Sequence, residues 1–236
     1  MPRTPIWKDI TATLETEIAQ GHYQAGDKLP TESELASRFG VNRHTVRRAL
    51  SDMSDRGLVR SRRGAGVFVA ASPTDYPLGR RVRFHQNIMA TGRTPQKQVL
   101  RIETRPCDTQ EAANLALQTG DPVVVYEGLS LSEGSPLAHF ISLFPAARLP
   151  DLAASLQQLT SVTQSLRQCG IADYTRAQTR ITAERASATQ ALHLGLAEGA
   201  PLLRTFGINI DPDGQPIEQG TTWFAGDRVT LTMAPE

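Results

Sequence analysis

Between Thr31 and Gly57 the chain spells out two short helices and the turn that joins them, with each boundary marked by its own residue type. Thr31-Glu32-Ser33-Glu34 is a capping box: the Thr31 hydroxyl can accept the orphan backbone N–H three residues on, and Glu34 can reach back. The helix it opens buries Leu35 and Phe39 and stops at Gly40. Val41 leads into Asn42, a good N-cap, and a second helix runs from about Arg43 to Arg56, ending at Gly57. Its apolar residues Val46, Ala49, Leu50 and Met53 make one stripe, and the opposite face carries Arg43, His44, Arg47, Arg48 and Ser51. Two short helices about Phe39-Gly40-Val41-Asn42 form a helix-turn-helix. In that motif the N-terminal end of the second helix enters a DNA major groove, and here that end is basic.

The flanks complete a winged fold. Trp7, Ile10, Leu14 and Ile18 are spaced as one face of a helix from Pro5 to Gln20, closed by Gly21, and Gly26-Asp27-Lys28-Leu29-Pro30 is a turn. After Gly57, a basic strand (Leu58–Arg62), a tip at Arg63-Gly64-Ala65-Gly66 and an apolar strand (Val67–Val69) read as a hairpin wing. Glycines at the tip allow close backbone approach to a sugar-phosphate wall, and Arg62 and Arg63 flank it, where a narrow minor groove would attract them. The net charge of +1 hides this design. From Ala36 to Gly66 there are eight arginines (38, 43, 47, 48, 56, 60, 62 and 63), no lysine, and only two acids, Asp52 and Asp55. Arginine's planar fork suits phosphate and guanine. Beyond Ser72 the balance is slightly acidic.

The strings Gly26–Ala36, Val41–Leu50, Gly57-Leu58-Val59 and Gly64–Val69 resemble the DNA-binding domain of the GntR family of bacterial repressors. The resemblance implies base contacts from Arg43 and Arg47, phosphate contacts from Asn42, His44 and Thr45, and minor-groove contact from Arg63 and Gly64. Thr31, Ser33, Arg48, Arg62 and Gly66 complete the expected DNA-binding set; some family members carry a basic residue where this chain has Ser33, so a contact there is a shorter hydrogen bond.

The remainder is an α+β pattern. Strands are expected at Val99–Arg105, Val123–Ser130, Leu137–Phe144, Thr175–Ala183, Leu202–Ile210, Pro216–Phe224 and Arg228–Met233. Helices are expected at Phe84–Ala90, Gln110–Gln118, Asp151–Gln157, Val162–Gln168 and Ala188–Leu194. A near-repeat organises them: Leu117-x-x-Gly120-x-Pro122 recurs as Leu196-x-x-Gly199-x-Pro201, and Gly134-x-Pro136 as Gly214-x-Pro216. Two similar halves then contribute paired hairpins to one antiparallel sheet, with a cleft at their junction. The expected organisation is a winged helix-turn-helix over 1–70, a linker over 71–79 containing Ser72-Pro73-Thr74 and Pro77, and an effector-binding and dimerisation domain over 80–236.

That second pattern resembles the HutC subfamily of GntR regulators, whose ligand-binding (UTRA) domain shares the chorismate-lyase fold. Asp75–Leu78, Arg83–Asn87, Val41–Thr45 and Gln178–Ile181 are most similar to phosphonate-metabolism regulators of that subfamily. The helix opening at Phe84, His85 and Gln86 offers free N–H groups to an anion, with Arg83 nearby; the resemblance implies that the pocket lies there, with Ser130, Arg180 and Glu218 contributing. Relatives often place arginine on the strand that here carries Glu127 and Ser130, which moves anion recognition toward Arg180 or Arg204.

Other chemistries find little support. The longest apolar runs, such as Val67–Ala71, are too short to span a bilayer, and no signal peptide is apparent. Cys107 and Cys169 fit a reducing cytoplasm as ordinary thiols, and the dispersed histidines (22, 44, 85, 139 and 193) offer no metal spacing. No cofactor or metal is expected. His139, on a strand, reads as a hydrogen-bonded core or pocket residue. The alternatives to a phosphonate-responsive repressor are a lyase-like enzyme tethered to a DNA reader and a regulator of amino-acid or sugar-phosphate effectors. The expected partners are a palindromic double-stranded operator read by a homodimer, and an anionic small molecule that releases it.

Overall fold

The computed structural model describes residues 5–24, 26–62, 64–70, 73–81, 84–90, 92 and 94–233; for Arg62, His85 and Gln86 it describes the backbone alone. The chain forms two compact units, residues 1–72 and 73–236.

In the first unit, α1 (Ile6–Ala19), α2 (Glu32–Phe39) and α3 (Arg43–Asp55) precede a hairpin of β1 (Val59–Arg62) and β2 (Gly66–Val69). The anticipated caps all form. Thr31 Oγ1 accepts from the Glu34 amide at 3.3 Å, and Glu34 Oε2 accepts from the Thr31 amide at 2.7 Å. Gly40 closes α2 in the left-handed region (φ 65°), where a side chain would be strained. The α3 stripe Val46, Ala49, Leu50 and Met53 is buried with Ile10, Leu14, Leu29 and Leu35, so three short helices share one core that none could maintain alone. A bridge from Lys28 to Phe68 ties the turn before α2 to the wing.

The second unit contains β3 (Thr74–Pro77), α4 (Phe84–Ala90), β4 (Pro95–Pro106), α5 (Thr109–Leu115), β5 (Pro122–Ser132), β6 (Ser135–Pro145), α6 (Leu152–Leu159), α7 (Val162–Gln168), β7 (Thr175–Arg185), α8 (Ala188–Leu194), β8 (Pro201–Ile210), β9 (Pro216–Ala225) and β10 (Val229–Thr232). Residues 74–77, expected to be linker, are instead a strand paired in parallel with β10. Asp75 and Pro77 are exposed, but Thr74 and Tyr76 are buried. That two-residue alternation was too short to stand out against the prolines beside it.

The large sheet runs β4-β5-β6-β9-β8-β7, antiparallel throughout. This is the arrangement the repeat implied: β4-α5-β5-β6 and β7-α8-β8-β9 are equivalent halves meeting at β6 and β9. The repeated glycines occupy equivalent left-handed positions, Gly120 (φ 94°) with Gly199 (78°) and Gly134 (75°) with Gly214 (79°). Capping boxes open α5 at Asp108 and α8 at Ser187. One sheet face is covered by α6 and α7, which bury Phe144, Leu152, Leu156 and Leu166, and by β3, α4 and β10 around Tyr76, Ile88 and Phe224. The helices α5 and α8 pack on the other face.

Candidate nucleic-acid interface and ligand cavity

The N-terminal turn of α3 is fixed by its cap. Asn42 Oδ1 accepts from both the amide and the hydroxyl of Thr45, each at 2.9 Å. This holds the helix end open toward any acceptor but uses the Thr45 hydroxyl proton and leaves the Asn42 amide group to donate. Arg43 and His44 follow on the exposed side, and among the described residues neither has an ion-pair or hydrogen-bond partner. Arg47 is exposed but held by Glu32 through two bonds, Nε to Oε1 at 3.1 Å and Nη2 to Oε2 at 2.7 Å. The Arg47 guanidinium keeps the Glu32 carboxyl below its usual range, against a smaller opposing effect of burial. Arg48 lies over the Trp7 ring, 4.9 Å from its centroid, which directs it onto α1. Ser33 is exposed on the first turn of α2.

Other arginines of the basic run serve the scaffold. Arg38 pairs with Glu17, and Arg56 pairs with Glu15 and Asp52. At the wing, Gly64 and Gly66 have φ values of 74° and 113°. A side chain at Gly66 would collide with Lys28 Cε at 2.7 Å, so the glycine lets Lys28 lie across the hairpin. Arg63 lies outside the described residues, as does the side chain of Arg62.

In the second unit a cavity of about 380 Å³ opens between the sheet, the α6–α7 turn and the β3–α4 segment. Strand parity selects its floor. Ser130, Phe140, Ser142, Thr205, Asn209, Glu218 and Thr222 all point to this face. Glu218 is buried and accepts from Ser142 Oγ at 2.7 Å and Asn209 Nδ2 at 2.6 Å. On the wall, the Tyr174 and Thr163 hydroxyls are joined at 2.8 Å. Among the described residues three cations line the space: Lys97 from β4, Arg167 from α7 and Arg176 from β7. Arg176 lies against Gly207, where a Cβ would come within 1.5 Å of its Nη1, and its buried Nε has no hydrogen-bond partner. Lys97 Nζ sits 4.5 Å from the Phe140 ring centroid and 5.3 Å from that of Tyr126. Desolvation pushes its pKa down to about 8, with Glu218 opposing.

A model described as the gntR family of bacterial regulatory proteins matches residues 7–69, and a UTRA domain model matches residues 90–230. The chain belongs to the GntR family. An uncharacterised HTH-type transcriptional regulator of Rhizobium meliloti, RB1450, is 36% identical over 97% of this chain and 94% of its own length. The probable transcriptional regulator PhnF of Escherichia coli is also 36% identical, over 96% of this chain and 94% of that protein. The crystal structure of PhnF from Mycobacterium smegmatis is similar at a TM-score of 0.67 with 28% identity, covering 96% of this chain and 99% of that one. This regulator therefore has a GntR winged helix followed by a UTRA domain, the HutC-type architecture; its relatives are DNA-binding transcription regulators, not enzymes. No helix among the described residues is long and apolar enough to cross a membrane.

The cavity contains three of the expected effector residues, Phe84, Ser130 and Glu218. Arg83 lies outside the described residues, and so do the side chains of His85 and Gln86. Arg180 and Arg204 are corrected: both lie on the opposite sheet face. Arg204 is directly across from Trp223 and lies 3.6 Å from Glu184, and Arg180 is across from Phe206. A bulge between Arg176 and Gln178 shifts the parity of β7, so Arg176 takes the cavity side. Glu127 also leaves the cavity, bonding to His139 Nε2 at 2.9 Å and to Arg101. Lys97, Arg167, Arg176, Ser142 and Asn209 were missed; extending the first strand back to Pro95 would have placed Lys97 opposite Ser130.

Proposed function

We propose that the chain is a repressor that binds a palindromic operator as a homodimer joined through its UTRA domains, and that an anionic effector of the phosphonate class, bound in the cavity, releases it. The observation that carries this reading is the charge of the cavity: Lys97, Arg167 and Arg176 face one carboxylate, Glu218, which is already engaged by Ser142 and Asn209. Lys97 and Arg176 are half-buried, and a cavity with more cations than carboxylates favours a ligand that brings negative charge. At about 380 Å³ the space suits a compact molecule. Phosphonate is favoured by the likeness of Asp75–Leu78 and Gln178–Ile181 to phosphonate-metabolism regulators. Repression is favoured by a 28% identical relative, the Bacillus subtilis transcriptional repressor NagR.

On the DNA side, Arg43 reads base edges at the open end of α3, joined by Arg47 from its seat on Glu32. His44, Thr45, Asn42 and Ser33 contact phosphates, and the glycine-tipped wing approaches the minor groove. Thr31 acts through the α2 cap, and Arg48 through its packing on Trp7. The test is selection of bound duplexes from a random pool by the full chain, followed by challenge with 2-aminoethylphosphonate, methylphosphonate and phosphate. Enrichment of an inverted repeat that one of these anions releases is expected. Enrichment of an unpaired single site overturns the dimeric reading, and anion binding that leaves the DNA complex intact overturns the release.

A further inference from the structure

We infer that Lys97 holds the anionic group of the effector and sets the preference for anions over neutral molecules of the same shape. The inference rests on the cavity being the effector site, as proposed above. Lys97 and Ser130 are directly paired across β4 and β5, which puts the lysine on the cavity face. Strand β4 is an edge of the sheet, so a four-carbon stem there has a short route to bulk water. The ammonium instead lies over Phe140 and Tyr126. Phe140 can approach because residue 128 is glycine: a Cβ there would sit 2.9 Å from Phe140 Cζ and 2.5 Å from the Gln98 carbonyl. Ring faces hold a cation from one side and leave its N–H donors free on the other. Among the described residues no carboxylate pairs with it. The ammonium faces a cavity whose carboxylate, Glu218, is already engaged by Ser142 and Asn209.

The lysine's titration gives the test a signature that a merely structural lysine would lack. Its pKa is pushed down to about 8 by desolvation. An anion placed against it favours the charged form, so binding takes up a proton, and affinity falls as pH rises through 8. Among the described residues, the other charged or titratable groups facing this space are Glu218 from β9, Arg167 from α7, Arg176 from β7, Tyr126 from β5, Tyr76 from β3 and Tyr174. Burial raises both Tyr76 and Tyr126, the latter to about 12, away from the range in question. The His85 side chain, on α4, lies outside the described residues.

Calorimetric titration of the full chain with sulfate, whose charge is constant over this range, and with phosphate and 2-aminoethylphosphonate tests the assignment between about pH 7 and 9.5. For the wild type, affinity for sulfate should fall with a slope approaching tenfold per unit above pH 8, the limit for one linked proton. K97Q should bind at least about tenfold more weakly at pH 7 and lose the slope, with an unchanged far-UV spectrum and no loss of thermal midpoint. K97R, charged throughout, should show the same flat profile whatever its affinity. An unchanged K97Q affinity, or a pH slope that survives in K97Q, overturns the role of Lys97 while leaving the cavity as the effector site. Failure of all three anions to bind the wild type overturns the anionic-effector reading itself, and the inference with it.

Discussion

In the winged-helix unit Arg43, a cation with no carboxylate partner among the described residues, and the His44 beside it are exposed at the open end of α3. In the UTRA unit their counterparts, Lys97 and Arg176, line a cavity. Around each set, other arginines are neutralised: Arg38, Arg47 and Arg56 by acids of the first unit, and Arg101, Arg105 and Arg204 by acids of the second. The difference teaches what each unit awaits. An exposed cation keeps its hydration and costs little, and it suits a polyanion that supplies many phosphates along one surface. A cation in a cavity gives up hydration before any partner arrives, so its partner must be small enough to enter and charged enough to compensate. On the surface, specificity comes from where the scaffold points the arginines; in the cavity it comes from which charge is missing.

The sharpest way to break this comparison is Arg43→Ala. It should cost about 1–3 kcal/mol on the selected operator, a loss of roughly 10- to 100-fold, and relax base preference at one position per half-site. Fluorescence anisotropy on the selected duplex and on a shuffled one checks it. A loss equal on both duplexes would make Arg43 a phosphate contact. Anion binding by the same variant should be unchanged.

Gly207→Val addresses the cavity. The new side chain takes the space of the Arg176 guanidinium, which lies where its Cβ would be. Displacing one of three cations should weaken phosphate binding by about tenfold, or 1.4 kcal/mol, in a titration of the full chain. Selected-operator affinity without effector should stay at the wild-type value. If phosphate binds as before, Arg176 takes no part in the site and the cavity's charge argument falls to Lys97 and Arg167.

The two sets of cations were not equally legible. Those of α3 follow one another in sequence, between an N-cap at Asn42 and a stop at Gly57, so local rules place them on one face. The same rules gave the sheet, because the Gly-x-Pro repeats mark where each half turns. The cavity's cations come from β4, α7 and β7, far apart in the chain, and meet only through register. A strand begun at Val99 omits Lys97, and a strand without its bulge puts Arg176 and Arg180 on one face, where the bulge separates them. Period-two reasoning is unforgiving here, since a slip of one residue exchanges the faces.

Lys97→Met separates a stabilising lysine from one that awaits a ligand. In the folded chain its pKa is about 8, below the ordinary value of 10.5, so the unfolded chain binds the proton more tightly. The charged lysine therefore costs stability below about pH 8, and the cost fades as pH rises toward 10.5. Methionine keeps the stem against Phe140 and Tyr126 and removes the charge. The melting midpoint at pH 7 should rise by about 2–4 °C, for a gain of about 1 kcal/mol, and the gain should shrink as pH rises from about 8 toward 10.5. A fall at pH 7 would show that the stacking of the ammonium on the two rings outweighs its desolvation.

The smallest effect expected is that of Arg204→Ala, and it sharpens the comparison because the residue is basic and lies on a strand of the cavity's own sheet. Its neighbour Thr205 points into the cavity, so Arg204 points away, beside Trp223 and Glu184. Trp223 Nε1 donates to Glu184 at 2.9 Å, which leaves that carboxylate a partner when the arginine is removed. The pair is partly exposed, and such pairs are worth at most about 1 kcal/mol. Phosphate affinity and its pH profile should match the wild type, with a midpoint shift of no more than about 2 °C. A clear loss of phosphate binding with the fold intact would mean that charge acts across the sheet, and strand parity would then no longer divide the cations that await an anion from those that already have one.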